Sequence, residues 1–259
     1  MKTTPLTPQK LRLNRRVATA LCSPLLWLLT AGLPASAEDN WSFDITPYLW
    51  VAGADTETSL AAQPPGTPSS AAQFDTKISA GFMMAARVHY KSVGLLVDFD
   101  WLRLETDASS PGPAFSNGNL ESDFIHSTMA LTYKLPLEGR FHAELLAGAR
   151  LWNISEEITF GSGTLPGFKV SGDKTWVDAI AGAALRYDLS ERWSLILIGN
   201  AGGAGPSFGY DVVGGVGYQF THWCSATLGY RYNHEDYSQD GFKLDANFSG
   251  FILGVGFHF

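Results

Sequence analysis

The chain is poor in cysteine, in positive charge beyond its first residues, and in long apolar runs. Of its two cysteines, Cys22 falls in an N-terminal leader, which leaves Cys224 alone. A single cysteine makes no internal bridge, so the disulfide-stapled scaffolds of small exported domains are excluded. Cys22 directly follows Leu21, a bulky residue where a lipid-anchored cysteine is preceded by a small one, which argues against a lipid anchor. All 25 acidic residues lie after residue 37, with only 13 of the 18 Lys and Arg, a net charge of −12 for that part. Such a surface repels nucleic acid. No run of 18 apolar residues follows residue 37, which excludes helical membrane spans.

The leader itself, "RLNRRVATALCSPLLWLLTAGLPASA", has a basic start, an apolar stretch and a small-residue exit at Ala35-Ser36-Ala37. It reads as a secretory signal peptide over 1–37, cleaved before Glu38, and residues 38–259 form one domain.

What that domain has is alternation. In "DVVGGVGYQFTHWCSATLGYRY", residues 211–232, valine, glycine and aromatics recur at every second position, break at a short turn and resume. Ten segments of this kind predict strands: 41–51, 77–90, 95–105, 121–135, 141–152, 176–187, 193–201, 210–220, 223–233 and about 247–259. Short turns ("KSVG", "PLEG", "LSER", "THW") alternate with long connections at 54–76, 106–120, 153–175 and 234–246, while "GAGPSFG" at 203–209 is the one short connection on the long side.

One face of each strand carries an uncharged run, as in Phe82, Met84, Ala86, Val88 and Tyr90, or Met129, Leu131 and Tyr133. A charge facing lipid at mid-membrane costs about 2–4 kcal/mol, so its absence is what a hydrocarbon boundary enforces. The opposite face carries Arg87, Asp98, Asp100, His126, Glu144, Arg150, Asp178, Arg186 and Arg231, interleaved with glycine. Tyr90, Tyr133, Tyr187 and Trp193 lie near the short turns, and Trp101, Tyr210 and Tyr232 at the other end, as membrane-interface aromatics would. The pattern predicts an all-β fold: a transmembrane, antiparallel, up-and-down barrel of ten strands, with eight strands plus an outer hairpin as the alternative. Long loops face outside; short turns and both mature termini face the periplasm.

The last strand, "FILGVGFHF", resembles the terminal strand of Gram-negative outer-membrane proteins, and the resemblance implies that Phe257 and Phe259 are an assembly signal read by the barrel-insertion machinery. "WSFDITPYLWVAG", "GARLWNI" and "WVDAIAGAALRYDLSERWSLILIGNAGG" resemble small outer-membrane barrels of a poorly characterised group within the OmpA/OmpW-like class. That resemblance spans the mature chain and brings no catalytic residues with it. Its implied surroundings are outer-membrane lipid and lipopolysaccharide, for a monomer without cofactor.

Ten strands about 4.8 Å apart and tilted by about 40° enclose a cylinder roughly 20 Å across. The lumen arginines facing Asp98, Asp100, Glu144 and Asp178 then form either an ion-pair network that holds the barrel or the lining of a narrow polar pore. An enzyme acting on lipid or peptide at the rim is a further reading through His126 with Asp100 and Asp178, although alternation turns Ser127 toward lipid while His126 points inward. His89, His142 and His258 share a height near the short-turn rim, but strands two and five are not neighbours, and a zinc site is not expected. Trp152 and Trp176 face inward beside the third long connection, where they cap the lumen or contact a small ligand. The long connections are also candidates for surface interaction.

Overall fold

A computed structural model describes residues 40–60, 77–108, 115–239 and 242–259. The expected signal peptide at 1–37, and most of the first long connection, lie outside the described residues.

Ten antiparallel strands form one closed barrel: β1 (Trp41–Leu60), β2 (Lys77–Tyr90), β3 (Val93–Ala108), β4 (Phe115–Lys134), β5 (Phe141–Ser162), β6 (Phe168–Asp188), β7 (Trp193–Gly203), β8 (Ser207–Thr221), β9 (Cys224–Gln239) and β10 (Phe242–His258). Each pairs with its chain neighbours, and β10 closes on β1 through a ladder from Asp44↔His258 to Leu60↔Phe242. Closure leaves no free sheet edge around the membrane-spanning wall at the short-turn end, which is the condition for a sheet to sit in hydrocarbon. The eight-strand alternative is therefore set aside. Two of the tight turns use left-handed backbone, at Lys91 (φ 56°) and Gly139 (φ 91°).

The strands run further than their sequence pattern predicts. The expected loop at 153–175 is mostly strand: β5 and β6 stay paired to Phe160↔Phe168. Likewise β9 and β10 stay paired to Gln239↔Phe242, and β3 pairs β4 as far as Ala108↔Gly118. These extensions are polar on the outward face, so hydrophobic alternation does not mark them; ladder hydrogen bonds to an already paired neighbour do. The outward face itself records the change. On β3 and β4 it is apolar through Trp101 and Ile125 and then turns charged at Arg103, Glu121 and Asp123, which pair with one another. From Val93 to Trp101, at about 2.6 Å of height per residue for a strand tilted by about 40°, the apolar band is on the order of 21 Å plus the rings at its ends, matching the height of a barrel's lipid belt.

Leu49, Val51, Phe82, Met129, Leu131, Leu195, Leu228 and Phe251 stand on that band, all more than two-fifths exposed in the protein alone. Trp41, Tyr90, Tyr133, Phe141, Tyr187 and Trp193 ring the short-turn end.

The wall has a seam. The β1–β2 ladder runs from Trp41↔Tyr90 only to Tyr48↔Met83 among the described residues, while β1 continues on β10 and β2 continues on β3. Pro47, one residue before the break, has no N–H to donate, as expected where a strand ceases to be central.

Candidate functional site

Alternation places every second side chain of each strand inside, so the lumen is filled by ten converging rows. Near its middle the fill is ionic. Arg231 on β9 is 2% exposed and reaches three carboxylates: Asp98 Oδ2 at 3.2 Å, Asp100 Oδ2 at 3.0 Å and Asp211 Oδ2 at 2.5 Å. The Tyr48 hydroxyl lies 2.5 Å from Asp100 and 2.8 Å from Asp98, and accepts from Arg231 Nη1 at 2.8 Å. The guanidinium also stacks over the Trp50 ring, 4.7 Å from its centroid. His126, buried, sets Nδ1 2.9 Å from Asp100 Oδ2, the same oxygen that Arg231 reaches. A guanidinium forks onto several oxygens at fixed angles, which an ammonium cannot do, so this node needs arginine.

A second node is centred on Arg150, fully buried. It reaches Glu235 Oε2 at 3.5 Å and bonds the Asn200 side chain. Glu235 also accepts from Trp176 Nε1 at 3.0 Å. Asp178 is the ladder partner of Arg150, yet its carboxylate is bonded by Ser207 instead. Lower in the lumen, Glu144 is held by His89 at 2.5 Å and Arg87 at 3.8 Å.

Toward the loop end the lumen is apolar. Trp50, Met83, Leu102, Phe124, Trp152, Ile154, Trp176, Tyr237, Leu244, Ala246 and Phe248 form one buried cluster. Trp152 and Trp176, ladder partners, stack at 5.9 Å, and Phe248 packs on Trp152 at 6.3 Å. At the boundary between this cap and the Arg231 node lies a cavity of ≈ 20 Å³ lined by Trp50, Asp100, Leu102, Phe124, His126, Trp152, Asn233 and Phe248. Four of the side chains that line it carry buried polar atoms without a hydrogen-bond partner: Trp50 Nε1, Trp152 Nε1, His126 Nε2 and both amide atoms of Asn233.

The sequence-predicted residues therefore divide. Asp98, Asp100, His126 and Arg231 form one node, Arg150 belongs to a second, and Arg87 with Glu144 to a third. Arg186 belongs to none: it is half exposed at the short-turn rim and pairs with Asp188 at 2.8 Å. It sits two residues before the strand's last residue, Asp188, where the lumen opens to water. Trp152 and Trp176 are buried in the cap rather than lining an open entrance, because β5 and β6 continue past them. The three rim histidines are held by three different carboxylates, His89 by Glu144, His142 by Asp188 and His258 by Asp44. Phe257 and Phe259 stand at the β10 end, where Phe259 N donates to Phe43 O at 2.8 Å.

Tyr48, Trp50, Asp211, Asn233 and Glu235 were not anticipated as site residues. Asn233, Glu235 and Tyr237 continue the inward row of Arg231, so parity carried the signal; the polar composition of 234–246, read as loop, concealed it.

Among solved structures, the chain is similar to the outer membrane protease OmpT from Escherichia coli, with a TM-score of 0.55 and 12% identity over 87% of this chain and 99% of that one. It is also similar to the translocator domain of the autotransporter NalP from Neisseria meningitidis, with a TM-score of 0.43 and 13% identity over 93% and 96% of the two chains. At such identity the likeness to the first of these shows the fold alone, an antiparallel β-barrel, and it does not single out the OmpA/OmpW-like class. No protein-family model matches the sequence, and no curated protein matches it either.

Proposed function

We propose that the protein is a structural outer-membrane barrel whose lumen is closed in its resting state. It is exported by cleavage after residue 37, inserted by the barrel-assembly machinery through Phe257 and Phe259, and set among lipid and lipopolysaccharide with its long hairpins outside. The observation that carries this reading is the Arg231 node. One guanidinium joins β9 to Asp98 and Asp100 on β3, Asp211 on β8 and Tyr48 on β1, cross-linking opposite walls where a channel would run. Buried charges are tolerated when fully paired, and breaking such a set is costly, so the node resists opening. The aromatic cap adds a second barrier on the loop side.

The test is conductance of the purified protein in planar bilayers. The reading expects no discrete channels from the native barrel. Steady single-channel openings that change with Arg231→Gln would replace it with a narrow polar pore.

A second reading, binding of a small ligand, is favoured by one observation, the orphaned atoms around the cavity. His126 Nδ1–H donated to Asp100 leaves Nε2 an acceptor, and the side chains lining the same cavity also carry unpartnered indole N–H donors and the Asn233 amide. A neutral hydroxyl satisfies both kinds of group; the space now present admits about one water. The near-isosteric Asn233→Leu distinguishes the cases. It stabilises by about 1–3 kcal/mol if the amide is unpaired, and destabilises if a bound molecule satisfies it.

A further inference from the structure

At the short-turn mouth of the lumen, away from the nodes above, three side chains on adjacent strands β9, β10 and β1 stand in line. Ser225 Oγ lies 2.8 Å from His258 Nε2, and His258 Nδ1 lies 2.6 Å from Asp44 Oδ1. We propose that Ser225, His258 and Asp44 are a nucleophile, a general base and its orienting carboxylate, and that they hydrolyse small carboxylic esters entering the lumen from the short-turn side.

The register makes the arrangement. Asp44 and His258 are ladder partners, which sets the carboxylate beside the imidazole. Ser225 is the partner of Gly256, two residues before His258 on the same face. A Cβ on residue 256 would lie 2.7 Å from Ser225 Oγ and 3.3 Å from His258 Nε2, so glycine leaves clear the gap across which they meet. Asp44 accepts a hydrogen bond from His258 Nδ1–H, which fixes the tautomer and leaves Nε2 free to accept from the serine hydroxyl; this is the required order of roles. His258 and Asp44 are each about one-third exposed, unlike the sealed His126–Asp100 pair, so a substrate reaches them from water. Gln219, the ladder partner of Ser225, supplies a donor for the developing oxyanion. Its Nε2 holds Thr221 O at 2.6 Å but Cys224 O only at 3.4 Å, and that weak bond is the one an oxyanion displaces.

In the reaction, Ser225 Oγ adds to the ester carbonyl carbon while its proton passes to His258 Nε2. The carbon–oxygen bond to the alcohol then breaks, and the alcohol leaves with that proton. Water attacks the acyl-serine with His258 again taking and returning the proton, giving free acid and regenerated serine. No electrons change hands and no metal takes part.

The test uses the full mature barrel folded in detergent micelles. A fluorophosphonate probe is expected to label the folded protein on Ser225, located by peptide mass spectrometry, and p-nitrophenyl butyrate is expected to be hydrolysed. Ser225→Ala should abolish the label and lower turnover by on the order of 10²–10⁴-fold, with Asp44→Asn lowering it at least tenfold. Thr227→Ala on the same strand should change neither. The bland alternative is a latch between the last and first strands. It predicts variants that unfold more easily and a native protein that takes no label at Ser225; an unlabelled Ser225 in the folded native barrel, or turnover that survives Ser225→Ala, overturns the proposal. Neither outcome depends on whether the lumen conducts.

Discussion

Arg231 Nη1 lies 3.0 Å from Asp100 Oδ2 across the lumen, although β9 and β3 share no ladder. The pair is made by the closing of the sheet, and both members are almost wholly buried. It concentrates three carboxylates, one phenol and one imidazole around a single cation.

Arg231→Met removes that cation and leaves Asp98, Asp100 and Asp211 facing one another. A loss of about 3–5 kcal/mol is expected from breaking a buried pair while its partners stay charged. Urea unfolding in phospholipid vesicles measures it. Arg231→Lys should recover only part of the loss, because a point charge does not fork onto Asp98, Asp100 and Asp211 together.

The height of the membrane can be read by charge placed on the outer face. Met129 points outward about four residues above the Tyr133 ring, near mid-belt. Met129→Arg is expected to cost about 2–4 kcal/mol in vesicles, whereas Ser171→Arg, exposed on the upper part of β6, should change stability by about 0.5 kcal/mol or less. Equal costs at the two positions would contradict a lipid belt ending near Trp101 and Ile125.

Trp152→Ala cuts into the cap between Trp176, Phe248 and the His126 ring, which lies 4.5 Å from the indole. An aromatic-to-alanine truncation at such a site costs about 3–5 kcal/mol. The same unfolding measurement reports it, and a cost below about 1 kcal/mol would mean that the cap is not packed.

Gly148 and Gly172 give an internal control. A Cβ at 148 would come within 2.0 Å of Met129 O and 2.5 Å of Ala130 Cα, whereas one at 172 meets nothing within 4 Å. Gly148→Ala should force the β4 and β5 backbones apart, at a cost of about 1–3 kcal/mol, while Gly172→Ala should be close to neutral.

Most of the barrel was readable before any coordinate. A strand repeats every two residues, so which side chains share a face is a local property, and the uncharged rows from Phe82 to Tyr90 or Met129 to Tyr133 declare a lipid boundary by themselves. Parity also sent Arg231, Asp100, His126 and Trp152 inward. Closure decided which of these meet. It took Arg150 past its ladder partner Asp178 to Glu235 and Asn200, left Arg186 at the rim of the lumen with Asp188, and brought Tyr48 from the first strand to an arginine near the end of the chain. It also carried β5, β6, β9 and β10 beyond the membrane, where water lies on the outer side and no apolar rhythm is needed, so only hydrogen bonds to a paired neighbour define the strand. A face is set by neighbours two residues away; a partner across a lumen is set by strand number and stagger, which belong to the closed sheet as a whole.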